Sequence, residues 1–181
     1  MNYKQPNKAA AGSSKTSIIM KTFNDYIKSY RQQLQQGDIQ VAYRKLIEYM
    51  MTMKTHFKNE YPGYAVSSNI YQGYMDVTHF SFTPPQLRKE KLKVVIVFIH
   101  PQVRFDIWLA GLNRKVQKQY WDMFKGSDWD KYRIPESIDD VFSIVEHTLV
   151  EQPDFDHLGA LTRQIENETV QFITDIAVLF E

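Results

Sequence analysis

The stretch LKVVIVFIHPQVRFDIWLAGLNRKVQKQYW, residues 92–121, decides the fold class because two strand patterns are followed by a helix pattern. Residues 92–100 are apolar at both alternating sets of positions, which is typical of a central strand covered on two faces. In residues 104–111 three apolar side chains share one face: Phe105, Ile107 and Leu109. The short HPQV segment between the two strands predicts that they pair antiparallel.

A helix is predicted directly after the second strand. Gly111 ends the strand and Asn113 is a suitable N-cap residue. The apolar positions that follow have helical spacing, and Gly126 marks the end of the helix: Val116, Tyr120 and Phe124. The stretch therefore predicts a strand, a tight turn and an amphipathic helix.

The remaining elements are predicted from apolar spacing and from turn residues. Two helices are expected at about 20–36 and 38–60, with Gly37 as a stop and Asp38 as an N-cap. Residues 69–84 predict a strand that is bulged near Gly73, residues 141–150 a fourth strand, and residues 157–180 a final helix.

The predicted order is α-α-β-β-β-α-β-α, which indicates an α+β fold. It consists of an N-terminal helix pair, an antiparallel three-strand meander, a helix, a fourth strand and a C-terminal helix, with the helices on the faces of the sheet. We expect one domain over residues 20–181, preceded by a flexible polar tail over residues 1–19.

The composition excludes several kinds of chemistry. The 181 residues include no Cys, which excludes disulfides, thiol catalysis and thiolate metal ligands. No glycine-rich phosphate loop, helical pair of zinc histidines or nucleophile elbow is present. No apolar run approaches the roughly 20 residues of a membrane helix, and residues 1–17 lack a signal-peptide pattern. We expect a cytoplasmic protein without a membrane partner.

The charges are unevenly distributed along the chain. Residues 1–125 hold 19 of the 22 basic and 8 of the 21 acidic residues, and residues 126–181 hold 3 and 13. One interpretation is that the two parts of one domain attract each other. The other is a basic face that attracts anions such as nucleic acid. Because the basic residues are scattered, nucleic acid is the less favoured partner.

The strand-to-helix stretch also holds the best candidates for a binding site. Six polar or aromatic side chains lie there: Arg104, Asp106, Trp108, Asn113, Gln117 and Tyr120. Arginine offers a planar fork for a carboxylate or phosphate, aromatic rings offer a stacking surface, and a helix N-terminus adds donors. In the structural alternative, Arg104 and Asp106 pair, Trp108 packs under a helix, and Asn113 is only a cap.

Three segments carry a resemblance to a known family: AYRKLIEYM, LKVVIVFIHPQVRF and FDIWLAGLNRKVQKQYW. Together they resemble an uncharacterised bacterial family of conserved hypothetical proteins. The resemblance runs from about Met20 to Phe180, which is nearly the whole chain. It implies no particular reaction or ligand.

A weaker, topological resemblance is to restriction-endonuclease-like folds, which also run helix, three strands, helix, strand. It implies an acid on one strand and an acid-x-Lys pair on another, which hold a divalent metal and orient water. The matching acids are Asp76 and Asp106, and the cofactor would be Mg²⁺. The sequence departs from the pattern because Trp108 stands where the lysine is required.

The sequence therefore favours a protein of unknown catalytic status that uses no cofactor. We expect it to bind a small anionic or polar aromatic ligand, or a protein partner, in a cleft where the third strand meets the third helix. One alternative is a metal-dependent nuclease, or a degenerate relative that still binds nucleic acid. Another is a structural or interaction subunit, which an exposed apolar patch on the first helix pair would favour.

Overall fold

The computed structural model describes residues 21–139 and 141–180, so the predicted tail at 1–19 lies outside the described residues. The helices are α1 Phe23–Gln36, α2 Asp38–Glu60, α3 Pro85–Arg88, α4 Arg114–Lys125 and α5 Leu158–Ala177, with a 3₁₀ turn at Val178–Phe180. The strands are β1 Ala65–Val66, β2 Tyr71–Gln72, β3 Val77–Thr83, β4 Leu92–Ile99, β5 Arg104–Gly111 and β6 Val145–Val150. These elements confirm the α+β class.

The chain divides into two compact units, residues 1–42 and residues 43–181. The described part of the first unit holds α1 and the beginning of α2, and the second unit holds the whole sheet and the remaining helices. Among the residues that the structure describes, no helix combines the length and the apolar character that crossing a membrane requires.

Helix α1 has well-formed ends and an exposed apolar stripe. Thr22 and Asp25 form a capping box, in which each side chain accepts the backbone N–H of the other residue, at 3.3 and 2.9 Å. Gly37 ends the helix with a φ of 84°, a conformation that favours glycine. Four large side chains of α1 are exposed: Phe23, Tyr26, Ile27 and Tyr30. An exposed stripe of this kind favours the interaction-subunit alternative, which stays a prediction.

Six strands of the described chain form one antiparallel sheet. The order is β1-β3-β4-β5-β6, and β2 also pairs with β3. Because β3, β4, β5 and β6 are neighbours in chain order, the predicted meander is confirmed and continues through the fourth predicted strand. Strand β4 lies at the centre, between β3 and β5.

The segment predicted as one strand, residues 69–84, contains two strands that pair with each other. The backbone N–H of Gly73 donates to the carbonyl of Val77 at 2.9 Å and closes the reversal between β2 and β3. A Cβ on Gly73 would lie 2.9 Å from the backbone carbonyl oxygen of Val77, which is too close, so this turn needs glycine. The predicted bulge is therefore a turn, because the chain reverses where we expected it only to bend.

The helices that contribute to the core of the second unit pack on one face of the sheet and not, as predicted, on both. The main core joins one side of the sheet to α2, α3, α4 and α5. On the other side, a small cluster contains only strand residues: Val77, Val95, Val97, Ile99, Trp108 and Ala110. Val97 is completely buried, and its apolar neighbours in this cluster are all strand residues, so the apolar pattern of β4 does not by itself indicate a second layer of helices.

Candidate functional site

The structure separates the six predicted site residues into two groups. Arg104, Asp106 and Trp108 lie on the sheet face opposite the main core, as the alternation predicted. Asn113 follows the other end of β5, which is roughly 23 Å from Arg104 at the rise of an antiparallel strand. Gln117 and Tyr120 are buried on α4. The predicted cleft at the strand–helix junction is therefore not formed, because β5 is long enough to keep the two groups apart.

The second group holds the junction between β5 and α4 together. Asn113 accepts the backbone N–H of Val116 at 3.0 Å and caps the helix. Gln117 accepts the N–H of Gly111 at 2.7 Å through its side-chain oxygen. Tyr120 donates its hydroxyl hydrogen to Glu90, and burial together with this bond raises the pKa of Tyr120 to about 12. These contacts are structural ones.

Gly111 explains why the junction is so tight. A Cβ at this position would lie 2.5 Å from the backbone nitrogen of Gln117 and 2.9 Å from its Cα. Backbone cannot give way as the far end of a side chain can. The glycine of the LAGLN segment therefore lets the first turn of α4 pack directly against the end of β5.

Arg104 and Asp106 of the first group border a cleft at the edge of the sheet, and Trp108 is not part of its lining. The cleft has a volume of about 350 Å³ and lies between β5, β6 and the loop over residues 130–133. Its lining is Arg104, Asp106, Asp130, Lys131, Tyr132, Arg133, Glu146, His147 and Thr148, and we call it the edge cleft. Arg133 and Glu146 exchange backbone hydrogen bonds at 3.1 and 2.8 Å, which attaches the loop to β6.

A half-closed ion pair lies in the edge cleft. Arg104 donates from Nη2 to Oδ2 of Asp106 at 3.0 Å, and its Nη1 lies 3.8 Å from Oε2 of Glu151. Asp106 is only 4% exposed. Its second oxygen, Oδ1, and the Nε of Arg104 are both shielded from solvent, and neither has a hydrogen-bond partner among the residues that the structure describes. Of the two hydrogen bonds of a bidentate Arg–Asp pair, one is therefore formed and the other is not.

The other cations of the edge cleft are paired with acids. Lys131 lies 2.6 Å from Oδ1 of Asp175, and Arg133 bonds to Glu146. Asp175 also accepts the hydroxyl hydrogen of Tyr132 at 2.6 Å. Burial acts to raise the pKa of Asp175, but these bonds outweigh it and hold that pKa below its ordinary value. The loop is thus fastened to α5 as well as to β6.

The acids of the metal-binding alternative are not brought together. Asp76 precedes β3 and accepts the backbone N–H of Val77 at 2.7 Å, whereas Asp106 lies on β5, with β4 between the two strands. Asp106 already has Arg104 as its partner. Within residues 21–139 and 141–180, no three histidine or acidic side chains are grouped so that they could hold a metal ion. The juxtaposition that the nuclease alternative requires is therefore absent from the described residues.

Sequence reasoning did not find most of the edge cleft. No sequence pattern marks Lys131, Tyr132 and Arg133 as site residues, and Glu146, His147 and Thr148 lie in a segment predicted only as the fourth strand. The one local signal is the segment DWDKYR, residues 128–133, where charges of both signs alternate with aromatic residues. That pattern does not reveal which strand the loop joins.

Comparison with known proteins identifies a family but no activity. No curated protein and no solved structure matches the chain significantly. The family model described as a domain of unknown function (DUF7000) matches residues 23–180, which include parts of both compact units. The resemblance to an uncharacterised conserved family is thereby confirmed, and the chain belongs to the DUF7000 family.

Proposed function

We propose that this protein binds a small polar molecule in the edge cleft, beside Arg104 and Asp106. One observation carries the proposal. The carboxylate of Asp106 is buried and borders the cleft, yet one of its two oxygens has no hydrogen-bond partner in the described part of the chain. A ligand that donates a hydrogen bond would satisfy that oxygen.

The energetics support a ligand at this place. A buried polar atom without a partner costs about 1–3 kcal/mol, and more when it is charged. Most buried polar atoms in proteins are paired, so an unpaired one at a cleft is a natural point of attachment. The volume of about 350 Å³ falls at the lower end of the range for small-molecule sites.

The proposal is one of binding and not of catalysis. In the edge cleft Lys131 and Arg133 are held by acidic partners, and Tyr132 donates its hydrogen to Asp175. Groups held in this way orient a ligand well, but none of them is left free to act as a nucleophile. The function that the geometry supports best is therefore recognition of a polar ligand.

A fragment screen by nuclear magnetic resonance tests this function. A library of polar fragments of up to about 12 non-hydrogen atoms would be added to wild type and to Asp106→Asn. We expect hits that shift the backbone amides of residues 104–106 and 146–148, and we expect Asp106→Asn to lose them. Asp122→Asn serves as the matched control, since Asp122 pairs with Lys118 on the exposed side of α4. Hits that lie elsewhere, or that survive Asp106→Asn, would contradict the proposal.

A further inference from the structure

We infer that the edge cleft selects an organic cation, a primary ammonium group, which takes the place of the Arg104 guanidinium on Asp106. This inference rests on the proposed function and names the ligand class for the same site. It is drawn from the balance of charges, from the way Arg104 is held, and from the acceptors beside Asp106.

The charges around the edge cleft are mostly negative. Its lining contains three cations, Arg104, Lys131 and Arg133, and three acids, Asp106, Asp130 and Glu146. Three further acids lie against lining residues: Glu151 beside Arg104, Glu168 beside His147, and Asp175 beside Lys131. Because the acids outnumber the cations, a positive ligand is attracted and a negative one is repelled.

The ion pair responds differently to ligands of opposite sign. An anion that captured Arg104 would leave the buried carboxylate of Asp106 without a counter-charge, which is strongly unfavourable. A cation that captured Asp106 would leave Arg104 with Glu151, which is already 3.8 Å away and is itself 67% exposed. Exchange of one cation for another on Asp106 is therefore the less costly event.

The movement that this exchange needs is a small one. Oδ1 of Asp106 is shielded from solvent, so a ligand reaches it only as neighbouring side chains shift. The side chain of Arg104 is 28% exposed, whereas that of Asp106 is 5% exposed. The guanidinium is thus the member of the pair that can swing outward, toward Glu151.

A primary ammonium group matches the acceptors at this position. It carries three N–H donors and a compact charge. Asp106 offers two carboxylate oxygens once Arg104 has moved. Thr148, directly across from Asp106 on β6, also lines the edge cleft, and a threonine hydroxyl can accept a hydrogen bond from an ammonium group. The third donor can point into the cleft toward Asp130 or Glu146.

Three probes of equal length and different charge test the inference. They are 1,4-diaminobutane, 1,4-butanediol and succinate, titrated into the full chain while backbone amide shifts are followed. We expect the diamine to shift residues 104–106 and 146–148 with at least tenfold higher affinity than the other two, and to weaken as salt is added. Asp106→Asn should lower its affinity at least tenfold, and Asp122→Asn should leave it unchanged.

Two further variants keep the test decisive if Asp106→Asn does not fold. Thr148→Val removes one acceptor from a strand position that suits valine, and Glu151→Gln removes the exposed acid that would receive Arg104. Each should weaken diamine binding about threefold or more. If neither variant changes the affinity, the inferred exchange is wrong.

The outcomes separate the inference from the function on which it rests. If butanediol or succinate shifts the same amides as strongly as the diamine, the cation preference is overturned while a binding site at the edge cleft stands. If none of the three probes and no fragment shifts these amides, both the inference and the proposed function fall.

Discussion

Arg104 and Asp106 lie two residues apart on β5 and share a single hydrogen bond of 3.0 Å, although their side chains have the groups for two. The pair lies on the sheet face that contributes no residue to the main core. At this edge, loop residues 130–133 provide the remaining wall. The second hydrogen bond of this ion pair is not formed, and its acceptor, Oδ1 of Asp106, is the atom to which we propose that a ligand binds.

Arg104→Ala should destabilise the protein. The substitution leaves the buried carboxylate of Asp106 without its cation, and we expect a loss of about 1–3 kcal/mol in the free energy of unfolding. Urea denaturation measures it. The control is Lys118→Ala, which breaks an exposed pair on α4 and should cost less than about 1 kcal/mol. Equal effects from the two variants would show that burial of Asp106 does not matter.

Gly111→Ala should be more harmful than Gly63→Ala. A Cβ at position 111 would lie 2.5 Å from the backbone nitrogen of Gln117, so α4 must shift, and overpacking of this kind typically costs about 1–3 kcal/mol. Gly63→Ala is the matched control, because its Cβ would have one neighbour, at 3.4 Å. Thermal unfolding of the two variants compares them. Similar melting temperatures for Gly111→Ala and Gly63→Ala would mean that the first turn of α4 does not pack tightly against the end of β5.

Arg114→Ala should loosen the loop that leads to β6. The Arg114 guanidinium donates to the carbonyls of Ile138, Asp139 and Val141, at 3.2, 3.0 and 3.4 Å. Because Arg114 is exposed, we expect a stability loss of only about 1 kcal/mol. Amide exchange should nevertheless become faster in residues 138–144. Lys115→Ala, at the neighbouring exposed position, should change neither quantity, and unchanged exchange in Arg114→Ala would contradict the prediction.

Glu166 should make the stability depend on acid. It lies 2.8 Å from His56 and accepts the hydroxyl hydrogen of Tyr61 at 2.8 Å, so it joins α5 to the end of α2. Burial acts to raise the pKa of Glu166, but the bonds from His56 and Tyr61 outweigh it and hold the pKa below the ordinary 4.5. A carboxyl with a lowered folded pKa contributes stability above its unfolded pKa and loses it as the pH falls through the folded value.

The measurement is urea unfolding between about pH 7 and pH 3. Glu166→Gln should reduce the stability near neutral pH and should flatten its decline below about pH 4.5. Glu168→Gln is the control, because Glu168 is an exposed residue of the same helix and lies 3.7 Å from the Nε2 of His147. A decline of the same steepness in wild type and Glu166→Gln would contradict the assignment.

Much of the fold could be predicted because its signals are local. Helix α2 runs from Asp38 to Glu60, which agrees with the predicted bounds because a long apolar stripe marks it. Asp38, which was predicted as the N-cap, is instead the first helical residue. Strands β4 and β5 follow directly from their apolar alternation. The turn over residues 73–76 was missed because Gly73 is compatible with a bulge as well as with a reversal, and because Met75, which adopts a positive φ of 61°, is not a residue type that indicates this conformation.

The edge cleft could be predicted only in part, because it depends on tertiary contacts. The alternation on β5 correctly placed Arg104, Asp106 and Trp108 on one face. It could not indicate that Arg133 would pair with Glu146, and this pairing brings the loop to β6. Nor could spacing along the chain indicate that Gln117 would bond to Gly111 inside the junction.

A calorimetric titration of 1,4-diaminobutane into wild type and Asp106→Asn tests most directly whether Asp106 holds a ligand at the sheet edge. We predict saturable binding to wild type with one site per chain, and at least a tenfold loss of affinity in the variant. Equal affinities of the diamine for wild type and for Asp106→Asn would contradict this prediction.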